Sequence, residues 1–324
     1  MLEIRTDLAI ESRELYQETK KEEAPGVEVE KVEEEEYEIT RVKVLDERGE
    51  ESLGKPKGVY ITIQVSKLKN ADQDLKDKIA QVLAKEIKGL GKNHKNTKTL
   101  IIGLGNWNVT PDALGPKVVD RVLVTRQYFV AYKKDEDETV SNVSALSPGV
   151  MGLTGIETSE IVKGIVEKTQ PDLVIAIDAL ASRRMDRVST TIQISDTGIN
   201  PGSGIGNKRL GLNEEYLGVP VLAIGVPTVV DAATMINDTM DLILDSMKSV
   251  AKSGSEFYST LQQVSNEEKY DLIKEVLEPF TPNLVVTPKE IDLLIDDLSI
   301  IIANSLNMAL HPGIELEDVN RYIR

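Results

Sequence analysis

The 324-residue chain has no cysteine and only two histidines. Without cysteine it has no disulfide, no thiolate metal site and no thiol nucleophile, and a reducing cytoplasm is its expected home. With two histidines, a serine triad would have to take His94 or His311 as its base. His94 lies in the polar stretch Gly91-Lys92-Asn93-His94-Lys95-Asn96, and His311 follows a long helix in Leu310-His311-Pro312-Gly313. The first reads as a loop residue and the second as facing a helix C-terminus. No signal peptide opens the chain, and no apolar run reaches the roughly 20 residues that span a bilayer. A soluble cytoplasmic protein with no membrane partner is expected. Basic residues are also in short supply: 38 Lys and Arg against 54 Asp and Glu leave a net charge of −16. That balance argues against a nucleic-acid surface, which needs clustered cations, and suits a basic partner.

What is present is a core-forming chain, 40% hydrophobic, enough for one large domain with a smaller appendage. Residues 1 to about 20 read as a short helix. Lys20 to Glu38, with Glu33-Glu34-Glu35-Glu36 inside it, reads as a solvated acidic linker. Tyr37–Val44 and Val59–Val65 alternate at period two around a turn at Glu47-Arg48-Gly49-Glu50, which predicts a small hairpin subdomain. A helix over about Asp72–Lys88 leads into short apolar runs alternating with helices: Thr99–Ile102, Leu173–Ile177, Thr191–Ile194 and Val221–Ile224. This is the pattern of an α/β fold, a mostly parallel central sheet with helices on both faces. Capping boxes at Thr154-Gly155-Ile156-Glu157 and Thr228-Val229-Val230-Asp231 announce two helices. Thr287-Pro288-Lys289-Glu290 announces a third, whose stripe of Ile291, Leu294, Ile295, Leu298, Ile302 and Leu306 is for packing or a subunit contact. The organisation expected is residues 1–7 apart from the rest, an N-terminal segment over 8–70, an α/β core over 71–252, and loop and helices packing on it over 253–324.

Two aspartates stand where chemistry is expected. Asp112 follows Gly103-Leu104-Gly105-Asn106 and the helix-start pair Thr110-Pro111, at the C-terminal edge of a buried strand. It either complements a helix dipole or takes part in a site, and the glycine turn could alternatively hold an anion. Asp178 ends the apolar run Leu173–Ile177, where a half-buried charge needs partners or a task. Two carboxylates meeting at one sheet edge can hold a water between them, one acting as base and the other as acid. The triplet Asp196-Thr197-Gly198 resembles that of pepsin-like proteases, but it is single and in an α/β context, and it reads as a turn. The Gly-rich stretch Pro201–Arg209, with Gly202, Gly204, Lys208 and Arg209, is either a plain loop or a clamp for substrate backbone or an anion.

Several long blocks carry a resemblance: Gly103–Asn106 with Val109–Pro116, Pro148–Thr158, Ala176–Ala181, Ile192–Arg209, Val226–Ala232 and Val286–Glu290. Over nearly the whole chain the sequence resembles the germination protease family of endospore-forming bacteria. The resemblance implies an atypical aspartic endopeptidase with a phosphorylase/hydrolase-like α/β fold similar to hydrogenase maturation peptidases. It places the catalytic aspartates on Asp112 and Asp178, with no cofactor and no metal. It implies small acid-soluble spore proteins as substrates, an inactive homotetrameric zymogen in the forespore and spore core, and no direct contact with nucleic acid. In Arg5-Thr6-Asp7-Leu8-Ala9-Ile10-Glu11 it places self-processing between Asp7 and Leu8, giving a pro-segment of seven residues. A metal-assisted maturation peptidase would need a histidine or similar ligand beside the carboxylates, and none is near in sequence. A non-catalytic anion- or nucleotide-binding protein is the remaining alternative.

Overall fold

The apolar runs become strands of one sheet in the computed structural model, which describes residues 6–91, 97–133, 137–200, 210–250, 273, 275 and 284–322. His94 and the stretch 201–209, with Gly202, Gly204, Lys208 and Arg209, lie outside the described residues. The strands are β1 (Val27–Glu33), β2 (Glu38–Val44), β3 (Gly58–Gln64), β4 (Thr99–Gly103), β5 (Val143–Leu146), β6 (Leu173–Ser182), β7 (Thr191–Ser195), β8 (Val221–Asp231) and β9 (Val285–Val286). Their spatial order is β1-β2-β3-β7-β8-β6-β4-β5, with β9 added to the end of β8. The unit β5-β4-β6-β8 is parallel, and β7, β3, β2 and β1 extend it antiparallel. The N-terminal hairpin is therefore continuous with the main sheet through β3 and β7.

Alternation along the strands sorts side chains to two faces. Ile101, Ile175, Ile177, Ile192, Ile194 and Ile224 face the helices α3 (Gln73–Leu90), α4 (Leu114–Val119) and α10 (Ile291–Leu310). Leu100, Ile102, Val174 and Ala176 face α7 (Thr158–Thr169) and α8 (Glu214–Leu217). The N-terminal helix α1 (Ala9–Lys20) adds a separate cluster, packing Ala9 with Val42, Val44 and Tyr60.

Several local expectations are corrected. The acidic run is not all linker, because Val27–Glu33, with valines at 27, 29 and 32 among its charges, pairs with β2 as an edge strand. Glu47–Leu53 is a short helix, α2, because the Asp46 carboxylate accepts the Arg48 and Gly49 N–H groups as its N-cap. The box at Thr154–Glu157 does not form: Gly155, at φ 73°, ends α6 (Met151–Thr154), and the Thr154 hydroxyl accepts the Ile156 N–H at 3.1 Å. Thr228–Asp231 stays in β8, and Asp231 alone caps α9 (Ala232–Val250), accepting the Thr234 N–H at 2.9 Å. The helix expected at Thr287 begins at Ile291, while the Thr287 hydroxyl donates to the Thr228 carbonyl at 2.9 Å.

Against the expectation that no run is long enough, α10 has the length and mean hydropathy, 1.5, of a membrane span, but 78% of that window is buried in the fold. Its stripe of Ile291, Leu294, Ile295, Leu298, Ile302 and Leu306 is buried throughout, each side chain contributing about 1.5–3 kcal/mol. At its C-terminus His311 is 1% exposed. His311 Nδ1 accepts the Ser141 N–H at 3.2 Å, and Nε2 lies 3.1 Å from the Leu123 carbonyl, which makes Nε2 the protonated nitrogen. Burial pushes its pKa down, partly opposed by the Leu123 contact. The folded chain thus holds the neutral ring while the unfolded chain protonates near its ordinary value, about 6.5. Stability present above that pH is lost as pH falls toward the depressed folded value. Thermal unfolding of wild type should drop more between pH 7 and 5.5 than that of His311→Gln; equal slopes would remove the imidazole from this role.

Candidate active site

Strand β4 ends at Gly103, opposite Ile177 of the adjacent parallel strand β6. The connection from β4 leads outward to β5, whereas β6 leads the other way to β7 and β8, so a topological switch point lies between β4 and β6. Open α/β sheets form their crevice outside the carboxyl ends of strands at such a point. Asp178 is the residue after Ile177, 5% exposed, with its Oδ1 accepting the Ala179 N–H at 2.9 Å. Asp112 arrives from the β4 side.

Glycines fold the Asp112 loop onto that edge. A Cβ on Gly105, whose φ is +109°, would stand 2.0 Å from the Asp112 carbonyl oxygen and 3.2 Å from its Oδ1. The Asn106 N–H donates to the same carbonyl at 3.0 Å, and the Leu104 N–H donates to Ile177 at 2.8 Å. The loop thereby closes over the end of β6, and its last turn, Thr110–Asp112, packs against β6, β8 and α10. Gly103 and Gly115 let α4 follow at backbone contact: a Cβ on Gly115 would meet the Leu104 carbonyl at 2.3 Å. Lys117 of α4 and Arg121, just past its C-cap, then pair with Asp296 of α10 at 2.8 and 3.2 Å. The half-buried Asp112 and the buried Asp178 are thus carried to one edge by neighbouring strands.

Asp196 is not part of this edge. Its Oδ1 accepts the Val59 N–H at 2.7 Å, and β7 runs antiparallel to β8, so the turn after Ser195 lies toward the opposite end.

Asp7 and Leu8 lie on the sheet face that carries Asp178. The Asp7 N–H donates to Ala181 at 3.0 Å, and Asp7 Oδ2 accepts the Ala181 N–H at 2.8 Å, three residues along β6 from Asp178. Leu8 is fully buried and packs with Ile10, Leu180 and Ile199. The Asp7 carbonyl accepts from Lys55 Nζ at 3.0 Å and from Gln193 Nε2 at 3.2 Å. Burial pushes the Lys55 ammonium below its ordinary pKa, against the pull of Asp7 and Glu11. Beside this carbonyl is a cavity of about 100 Å³, lined among others by Lys55, Tyr60, Gln193, Ser195 and Gly225. Burial raises the Tyr60 phenol to about 12, and its hydroxyl donates to the Pro56 carbonyl at 2.8 Å.

Further along the same segment, Glu11 is 1% exposed. Its carboxylate accepts the Arg183 and Arg184 N–H groups at 2.6 and 3.1 Å, and Arg187 stands 3.3 Å away. The sequence assigns no role to Lys55, Gln193 or Arg187, and names Glu11 only as the last residue of the processing stretch. Gln193 leaves a trace as a polar residue at alternate spacing inside the apolar run Thr191–Ile194. Lys55, in Gly54-Lys55-Pro56-Lys57-Gly58, leaves none.

Known proteins extend this picture. The family model described as germination protease matches residues 3–257 and 250–323. A germination protease of Caldanaerobacter subterraneus subsp. tengcongensis is 53% identical, covering 100% of this chain and 99% of the relative. Those of Clostridium tetani and Bacillus mycoides are 48% identical (99% and 100% covered) and 46% identical (98% and 96% covered). Among solved structures, a NiFe hydrogenase maturation protease from Thermococcus kodakarensis aligns at 21% identity over 61% of this chain and 99% of its own, with a TM-score of 0.30. The family match runs through the glycine loop after β4, both edge aspartates and the anchored N-terminal segment, and the chain belongs to the germination protease family.

Proposed function

We propose that this peptidase is an endopeptidase of spore germination that degrades small acid-soluble spore proteins, using Asp112 and Asp178 to activate water. The observation that supports the reading is the switch point between β4 and β6, with Asp112 in the loop after β4 and Asp178 on the neighbouring strand β6. One aspartate, ionised, takes a proton from water as its oxygen adds to the peptide carbonyl carbon. The other, protonated, gives its proton to the leaving nitrogen as the C–N bond breaks. Products are a carboxyl group and an amine, and neither step calls for a cofactor. The protein is made as a zymogen that cuts its own chain between Asp7 and Leu8, and it works as a homotetramer in the spore core. The curated relatives, each named germination protease, support this role.

Cleavage of a purified small acid-soluble spore protein tests the chemistry. A pair that must be half protonated gives a bell-shaped pH dependence set by the two carboxyl groups together, and activity should survive a chelator. Loss of activity to the chelator would transfer the reaction to a metal-assisted peptidase. A flat profile from acid to neutral pH would count against the paired aspartates.

A further inference from the structure

The bond between Asp7 and Leu8 is held at both of its ends. Lys55 Nζ donates to the Asp7 carbonyl oxygen at 3.0 Å and to the Thr6 carbonyl at 3.2 Å. Gln193 uses both ends of its amide: Nε2 donates to the Asp7 carbonyl at 3.2 Å, and Oε1 accepts the Ala9 N–H at 2.8 Å. The Leu8 nitrogen donates to the Thr6 hydroxyl at 3.1 Å, which in turn donates to Glu11. Gln193 shares its cross-strand position with Gly225, and Gly225 is opposite Asp178, so the three lie in one row across β7, β8 and β6. The Cα atoms of Gln193 and Asp178 are then about 10 Å apart, two strand spacings.

We propose that Lys55 and Gln193 are positioning residues for self-cleavage: they form a two-donor seat for the carbonyl oxygen of the Asp7–Leu8 bond. The inference rests on the self-processing reading above. When water adds to the Asp7 carbonyl carbon, the π electrons move onto the oxygen that these two groups hold. The C–N bond then breaks and the Leu8 nitrogen takes a proton, leaving an Asp7 carboxyl and a Leu8 amine. A cationic and a neutral donor aimed at one oxygen stabilise the charge that develops there, and loss of one such donor typically slows acyl transfer 10²–10³-fold. Lys55 is half-buried and its ammonium is held by the Thr6 and Asp7 carbonyls, so its attraction for a developing negative charge is less diluted by water than at an exposed site.

The test follows conversion of the full chain to the form beginning at Leu8, by mass, in wild type, Lys55→Met, Lys55→Arg and Gln193→Glu, with the unfolding midpoint of each. Lys55→Met should slow conversion about 100-fold with a nearly unchanged midpoint, and Lys55→Arg, which restores a cationic donor, should recover most of the rate. Gln193→Glu keeps the acceptor for Ala9 and loses the donor to Asp7, and it should slow conversion at least about tenfold. Wild-type rates in Lys55→Met, or equal slowing in Lys55→Met and Lys55→Arg, would overturn the seat. A wild type that cuts a separate spore protein but never its own chain would refute self-processing at this bond, and the seat with it.

Discussion

Replacing Asp178 by asparagine should reduce peptide cleavage by at least about 10³-fold, the usual scale for losing a positioned acid or base, with the unfolding midpoint kept within a few degrees. The change is nearly isosteric. The backbone of β6 is fixed at this position by pairing with Gly225 of β8 and, one residue earlier, with β4, and an asparagine oxygen can still accept the Ala179 N–H that Oδ1 accepts now. What is lost is the capacity to hold and release a proton. Asp112→Asn should behave in the same way, since its loop is anchored by backbone contacts at Gly105 and Asn106 and by α4. Because the two act as a unit, the double variant should be little slower than either single one. Release of new amino termini from a small acid-soluble spore protein, measured on chains supplied already beginning at Leu8, separates this from any failure to self-process. Either variant cutting within about tenfold of wild type would sink the assignment.

The second large effect is on stability. Arg187→Met should destabilise the fold by about 3–5 kcal/mol, the scale for removing one partner of a buried ion pair. Arg187 is 4% exposed, and its guanidinium meets Glu14 through two hydrogen bonds of 2.8 and 2.6 Å while standing 3.3 Å from the buried Glu11. The two carboxylates belong to α1, and the arginine to the turn after β6. Methionine would fill much of the volume but leave the buried Glu11 and the half-buried Glu14 without their shared cation. The Arg183 and Arg184 N–H groups still serve Glu11, so loss should concentrate on the attachment of α1 to the sheet. Limited proteolysis should therefore find new cuts within residues 9–20 before global unfolding. Arg187→Lys should recover only part of the loss, since an ammonium cannot reproduce the paired geometry on Glu14. A midpoint unchanged in Arg187→Met would show that the network is energetically neutral.

The legible part of the sequence was the part governed by apolar periodicity. Leu173–Ile177 and Val221–Ile224 read as strands because they are continuous apolar runs, and the α10 stripe read as a buried helix face. Both strands are longer than their runs: β6 continues through Asp178 to Ser182, and β8 through Thr228 to Asp231. Polar residues at a functional edge interrupt the apolar signal without interrupting the backbone pairing. The same effect made Thr228–Asp231 read as a helix start. β1 was hidden for the opposite reason, since an edge strand needs little burial and Glu28, Glu30 and Glu33 outweighed its alternating valines.

At the site, Asp112 could be placed after its strand and Asp178 after its apolar run, although β6 continues beyond it; that β4 and β6 are neighbours is a property of topology alone. The seat of Asp7 was out of reach altogether. It joins residue 7 to residues 55, 181 and 193, and such long-range partners leave no local pattern in a sequence.

Among the described residues the main path of the sheet ends at two outer strands, and both discourage addition of a further strand. One is β5, only four residues long. The other is β1, which carries Glu28, Glu30 and Glu33 and whose Lys31 is already paired with Glu33 and Glu38. A second chain approaching β1 to extend the ladder would bring its own acidic rim against this one, and desolvating those facing carboxylates is unfavourable. At high concentration, the glutamates that disguise β1 as a linker in the sequence would keep copies of the chain from zipping into fibres.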